Sequence, residues 1–209
     1  MTLELKSVQI WQGDNLLFAP VSLTLEAGKL ATVMGPSGCG KSTLLAAICG
    51  NLPQSFTLRG DIVLNGKSML SIPMEKRKIG ILFQDDLLFP HMNAAENLAF
   101  ALPPNMPKHF RKQKIADALK SAGLPGFEKR DPATLSGGQR ARISLFRTLL
   151  AEPEAILLDE PFSKLDQQLR QQMRQFVFDT IQDMNIPALL VTHDPRDCPE
   201  GQVINLAIK

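Results

Sequence analysis

Tyrosine is absent from the 209 residues, tryptophan occurs once, at Trp11, and histidine only three times. A site that needs an aromatic face or an imidazole has few residues to draw on. The three cysteines, Cys39, Cys49 and Cys198, lack the paired spacing of a metal site or a disulfide framework, which fits a reduced compartment. No apolar run reaches the roughly 18 residues of a membrane span. The first residues, Met1 to Lys6, alternate like a strand and lack the apolar core of a secretory signal. The net charge of +2 implies neither a nucleic-acid surface nor a membrane-surface patch. No internal repeat, low-complexity tract or coiled coil is visible. An apolar fraction of 44% is enough for the core of one compact domain, or of a domain with a subdomain.

The most informative stretch is Gly35-Pro36-Ser37-Gly38-Cys39-Gly40-Lys41-Ser42-Thr43, which fits G-x-x-x-x-G-K-[ST]. Its glycines let successive backbone N–H groups turn inward as a nest for phosphate oxygens. Lys41 can reach the β- and γ-phosphates of ATP, and the Ser42 hydroxyl can hold Mg²⁺. The flanks agree: Leu30 to Met34 is a short apolar run of strand type, and Thr43 to Cys49 reads as a helix that stops at Gly50. Cys39 lies inside the loop, so its thiol is expected to be alkylated unless ATP covers it.

Around this loop the chain reads as an α/β protein, a P-loop NTPase core with a β-rich N-terminal part and an inserted helical subdomain. The expected division is 1–84 and 156–209 for the nucleotide-binding core and about 85–155 for the helical subdomain. Leu3, Leu5, Val8 and Ile10 suggest a first strand with irregular alternation, and Val21, Leu23 and Leu25 a second. Trp11, at a strand end, either stacks on adenine or is a core or rim aromatic. Gly60 to Gly66 is a strand ending in Asn-Gly, a hairpin signal. Ile79 to Phe83 reads as a buried strand. It delivers Gln84, which either reaches Mg²⁺ or the attacking water or is a solvated loop residue.

Prolines then break the chain, with helices expected over Glu96 to Leu102 and Arg111 to Ala122. Of the apolar residues that open this segment, Leu87, Leu88, Phe89 and Met92, most are expected to pack, and an exposed subset would dock a partner. Leu135-Ser136-Gly137-Gly138-Gln139 precedes a helix and forms a second anion site by the same physics as the first, or else an ordinary glycine-rich cap. A head-to-tail pair of chains would give it a purpose. Ala155 to Glu160 is an apolar strand ending in two acids: Asp159 is placed to organise Mg²⁺, and Glu160 to act as general base. A long helix is expected from Gln167 to about Met184. Ala188 to Thr192 is another buried strand, which delivers His193 as a candidate sensor of the γ-phosphate, and Gly201 to Ile208 closes with a last strand.

Together these residues resemble the ATP-binding subunits of ABC transporters, over almost the whole chain. In that resemblance Gly35–Ser42 is Walker A, Gln84 the Q-loop and Leu135–Gln139 the signature. Ile156–Asp159 is Walker B with Glu160 next, Ser163–Asp166 the D-loop and His193 the switch histidine. The resemblance implies a homodimer that sandwiches two ATP between Walker A of one chain and the signature of the other. It also implies a membrane permease whose coupling helix docks near Gln84, a solute-binding protein in the full system, and a peripheral position at the cytoplasmic face of the inner membrane, with no nucleic acid. Phe89-Pro90-His91-Met92 to Glu96-Asn97-Leu98 looks like the matching region of bacterial solute importers, including those for thiamine, polyamines, sulfate and ferric iron. Trp11 stands where tyrosine is usual, Lys164 replaces a small residue, and the segment after His193 is short, which argues against importers with a regulatory extension. The alternative is a soluble ABC-type ATPase acting on nucleic acid or the ribosome; the short insertion without cysteine pairs argues against it.

Overall fold

The structure, a computed structural model, describes residues 1–199 and 202–206. Strand β1 (Thr2–Gln12) pairs antiparallel with β2 (Asn15–Leu16) and β3 (Val21–Glu26). Its irregular alternation has a local cause: the register shifts between Leu5 and Val8, where Ser7 adopts a φ of 49°. Such a bulge turns the following side chains over. Strand β4 (Leu30–Met34) then leads through the glycine-rich loop into helix α1 (Lys41–Cys49). Strand β5 (Phe56–Leu64) returns along β1, and β6 (Lys67–Ser68) closes a hairpin on Asn65 and Gly66. Both turn residues have positive φ, as a two-residue hairpin turn requires. Gly60 faces the bulge with a φ of 91°, and a Cβ there would meet the Ser7 carbonyl oxygen at 2.4 Å, so only glycine fits.

The rest of the chain alternates. Strand β7 (Ile79–Leu82) is followed by helices α2 (Ala94–Ala99), α3 (Lys108–Ser121) and α4 (Gly137–Leu150). Strand β8 (Ala155–Asp159), helix α5 (Gln167–Met184) and strands β9 (Ala188–Thr192) and β10 (Gln202–Asn205) complete it. The second sheet is parallel throughout, in the order β10-β4-β9-β8-β7. Its central strands are covered on both faces, which is why β8 and β9 read as unbroken apolar runs.

Several elements differ from the sequence reading: α1 begins at Lys41 rather than Thr43, and α3 at Lys108 rather than Arg111. Strand β7 stops at Leu82, and Phe83 is 44% exposed rather than buried. Helix α2 starts earlier than expected because Asn93 and Glu96 form a reciprocal capping box at 2.9 and 2.8 Å. Of the last strand, 202–205 is observed; Gly201, Ala207 and Ile208 lie outside the described residues.

Three apolar clusters hold these parts. The first joins the inner faces of β1, β3 and β5 to Leu44, Leu45 and Ile48 of α1 and to Val33, Leu157 and Val191 of the parallel sheet. Burying each such side chain stabilises by about 1.5–3 kcal/mol. The second cluster, on the opposite sheet face, packs Leu158 and Leu190 against Met173, Val177 and Ile181 of α5. The third knits α2, α3 and α4 through Leu98, Leu119 and Ile143. Helix α4 contributes to the last two, and so ties the helical part to the sheet.

Register places the site. Met34 lies beside Thr192, and Asp159 beside Val191. Gly35, Glu160 and His193 therefore leave the sheet at one edge, the carboxyl end where ligands of open parallel sheets bind.

Candidate active site

The loop between β4 and α1 has the shape its glycines allow. Gly38 and Gly40 have φ of 81° and 97°, and α1 begins at Gly40 with no side-chain cap. The first amides of the helix are left for an anion. A Cβ on Gly40 would come within 2.9 Å of the Phe18 ring, so space and backbone both require glycine there. Lys41 is buried and donates from Nζ to the carbonyl oxygens of Gly35 (2.8 Å) and Pro36 (2.9 Å). Its charge is thus already held inside the loop.

A cavity of about 350 Å³ opens over this nest, lined by Ser37, Gly38, Gly40, Lys41, Ser42, Thr43 and Glu160, with Gln12, Leu17 and Phe56. That volume suits a small ligand. The last three residues escaped the sequence reading. Gln12 and Phe56 are direct partners across β1 and β5, so the available signal was the neighbour of Trp11 on the same strand. Trp11 itself is not among the residues lining the cavity. Its indole N–H donates to the Gln9 side chain (3.2 Å), and the Arg59 guanidinium covers one ring face at 5.0 Å. Cys39 corrects a second expectation. Its side chain is 2% exposed and packs in the core rather than lining the cavity, and its amide donates to the Pro36 carbonyl at 3.3 Å.

Glu160 follows β8 with a φ of 46°, a strained backbone for a non-glycine residue. Its amide donates to the Val191 carbonyl (2.9 Å), which fixes it to the neighbouring strand. Its carboxylate meets His193 Nδ1 at 3.1 Å. Two residues far apart in sequence are thus in contact at the edge of the phosphate nest. The segment after His193 is also anchored. Arg170 of α5 pairs with Asp194 at 2.9 Å and with the buried Asp197, which also accepts from the Thr192 hydroxyl at 3.2 Å. Hydrogen bonds from Arg196, with the charge of Arg170, hold the Asp194 carboxyl well below the usual carboxylate range.

Asp159 sits at the end of β8. Burial pushes its carboxyl upward, Glu160 adds to the rise, and Lys41 opposes it. A divalent cation would relieve that crowding of negative charge. Among the described residues no three His, Cys, Asp or Glu side chains gather as a metal cluster. This suits Mg²⁺, which takes one or two protein ligands and completes its shell with phosphate oxygens and water. Ser42 and Asp159 are the residues that would hold it.

Two groups stand apart from this cavity. Gln84 lines a separate pocket of about 150 Å³ with Gly137, Arg140, Pro161 and Lys164. None of Ser136, Gly137, Gly138 and Gln139 lines the phosphate cavity. Ser136 and Gln139 close a capping box at the start of α4, at 3.3 and 2.9 Å. The amides of Gly137 and Gly138 carry no hydrogen bond among the described residues. Within one chain, then, the second glycine-rich helix start is not brought to the first.

Residues 18–163 match the profile of a protein family described as "ABC transporter". The chain is 45% identical over 203 residues to the "Uncharacterized ABC transporter ATP-binding protein YnjD" of Escherichia coli K12, covering 97% of this chain and 94% of that protein. It is 42% identical over 175 residues to the "Fe(3+) ions import ATP-binding protein FbpC 1" of Rhizobium meliloti, covering 83% and 49%. Over 196 residues it is 37% identical to the "Spermidine/putrescine import ATP-binding protein PotA" of Bacteroides fragilis, covering 93% and 42%. The chain thus spans less than half the length of these two import proteins.

Proposed function

Because the chain belongs to the ABC transporter family, and is by that membership an ATP-binding ATPase subunit of a transporter, we propose that it powers the import of a solute by hydrolysing ATP with Mg²⁺ at the nest after β4. The contact between Glu160 and His193 beside that nest is the observation that carries the reading. The ATP phosphates lie on the amides that open α1, and Lys41 turns from the Gly35 and Pro36 carbonyls to the β- and γ-phosphates. Ser42 and Asp159 would hold Mg²⁺, joined by Gln84 when its loop reaches the cavity, and the ion would neutralise charge on the phosphates. Glu160 accepts the proton of the attacking water, and His193 orients that carboxylate and senses the γ-phosphate. Gln12, Leu17 and Phe56 shape the wall on the nucleoside side, with Trp11 available for stacking through one ring face.

The separation of the Ser136-Gly137-Gly138-Gln139 helix start from the phosphate cavity supports a homodimer in which each chain lends that start to the other's γ-phosphate. The proposed division keeps 1–84 and 156–209 as the nucleotide-binding core and about 85–155 as the helical subdomain. The subdomain meets a membrane permease near Gln84, at the cytoplasmic face of the inner membrane. Leu87 and Phe100 are large exposed apolar side chains there, with the Phe100 ring tilted against Phe89 at a centroid distance of 4.7 Å. The names of two relatives include import, and a solute-binding protein would complete such a system. Among the described residues no helix is long and apolar enough to cross a membrane.

The test is capture. Tagged Glu160→Gln protein is incubated with MgATP and detergent-solubilised membranes, and what co-purifies is identified. A multi-span membrane protein is the expected result. Recovery of only soluble proteins or nucleic acid would overturn the reading in favour of a soluble ATPase.

A further inference from the structure

A Q-loop role would take Gln84 to Mg²⁺ or the attacking water at the phosphate cavity, yet Gln84 lines a different pocket. The two acids that follow it hold its loop there. Asp86 accepts from Arg140 Nε at 2.8 Å, on helix α4. Asp85 pairs with Lys164 Nζ. Lys164 belongs to the turn that begins at Glu160: the Ser163 amide and hydroxyl both donate to the Glu160 carbonyl, at 3.2 and 2.9 Å, and the Leu165 amide to Phe162 at 3.2 Å. The Asp85–Lys164 pair is therefore a charged link between the loop that carries Gln84 and the turn that carries the general base. At its far end the loop is fixed separately, by Arg147 donating to the carbonyls of Asp86 (3.2 Å) and Leu87 (2.9 Å).

We propose that the Asp85–Lys164 ion pair is a latch that holds Gln84 outside the phosphate cavity and so sets the basal rate of ATP turnover. Asp85 and Lys164 are thus positioning residues, acting through Gln84. Their exposure decides between a latch and a brace. Both side chains are more than half exposed, at 62% and 55%, so water and salt compete for the pair and it opens readily. The Asp86–Arg140 pair is roughly half as exposed, at 29% and 36%, and stays with α4 as the pivot. The inference rests on the roles given to Gln84 and Glu160.

The experiment measures ATP turnover against ATP concentration for the unmodified chain, Asp85→Asn, Lys164→Ala, Lys164→Arg, the double neutral variant and the swap Asp85→Lys/Lys164→Asp. It is run at about 0.01 and 0.15 M ionic strength, where the Debye length is about 30 and 8 Å. At low salt the two neutral variants are expected to raise kcat about two- to fivefold, the range set by an exposed ion pair, with KM unchanged. The double neutral variant should match the singles, and Lys164→Arg and the swap should keep the parental rate. Salt should raise the parental rate toward that of the neutral variants and leave those variants unmoved. Neutral variants that equal the parent or fall below it at low salt would overturn the latch, as would additive singles. Turnover that survives Glu160→Gln would overturn the reading of Glu160, and the latch with it.

Discussion

Helix α1 begins at Gly40 without a side-chain cap, whereas α4 begins at Ser136 with its capping box closed. Both starts are glycine-rich, and both follow the rule that the first amides of a helix lack backbone partners. At α1 the backbone is in the left-handed region and a lysine stands ready inside the loop. At α4 the side chains of Ser136 and Gln139 satisfy their own backbone, and only the amides of Gly137 and Gly138 remain free. The first start opens on a cavity with a lysine inside the loop and the Glu160–His193 pair close by. The second is a rigid, neutral donor pair with nothing to act on in its own chain. In the proposed dimer the same helix physics yields a site that binds and a surface that completes a site on the other chain.

The largest way to break this comparison is to remove the charge that distinguishes the first start. Lys41→Ala is expected to lower ATP turnover by about a hundredfold or more, measured by phosphate release, with the thermal melt checking the fold. Next come the glycines. Gly40→Ala forces a left-handed φ on a residue whose Cβ would press on Phe18, and should cost about 1–3 kcal/mol in denaturant unfolding. Gly138→Ala meets only the movable end of the Leu169 side chain, at 2.7 Å, at an ordinary φ, so its loss should be the smaller of the two. Ser136→Ala opens the capping box and should cost about 1 kcal/mol, by the same measurement.

The smallest effect has the opposite sign. The carboxyl of Asp159 is raised in the folded chain by burial and by Glu160. A raised folded value means the nucleotide-free fold is favoured below it and loses that contribution as pH rises through it, when the buried group must ionise. Asp159→Asn should therefore raise the melting temperature of nucleotide-free protein at neutral pH and flatten its pH dependence, while removing the stabilisation that MgATP gives the unmodified chain. A lower melting temperature would show that the carboxylate is structural.

Much of this was legible in the sequence because the signals are short-range. The phosphate loop, the acids after β8, the helix at Gln167 and the Asn-Gly hairpin each sit within a few residues of their own evidence. What escaped depends on pairings across the chain. Ser7 and Gly60 oppose each other at the bulge only because β1 and β5 pair over some fifty residues. That register also turns Gln12 and Phe56, rather than Trp11, into the wall of the cavity. The Cys39 thiol points into the core because the loop winds back on Gly35. Neither a motif nor a spacing carries that direction. Gln84 was found by position, but the ion pairs that hold its loop join it to α4 and to the turn after β8, far off in sequence, and leave no local trace.

The central claim is that the phosphate nest is half of a site and the α4 start of a second chain is the other half. Light scattering on Glu160→Gln with saturating MgATP tests it most directly, alongside Glu160→Gln/Ser136→Asp, which keeps an N-cap acceptor at the exposed start of α4 and adds a negative charge there. The expected result is a dimer for the first and a monomer that still binds ATP for the second. A monomer for both, or a dimer unaffected by Ser136→Asp, would contradict the account.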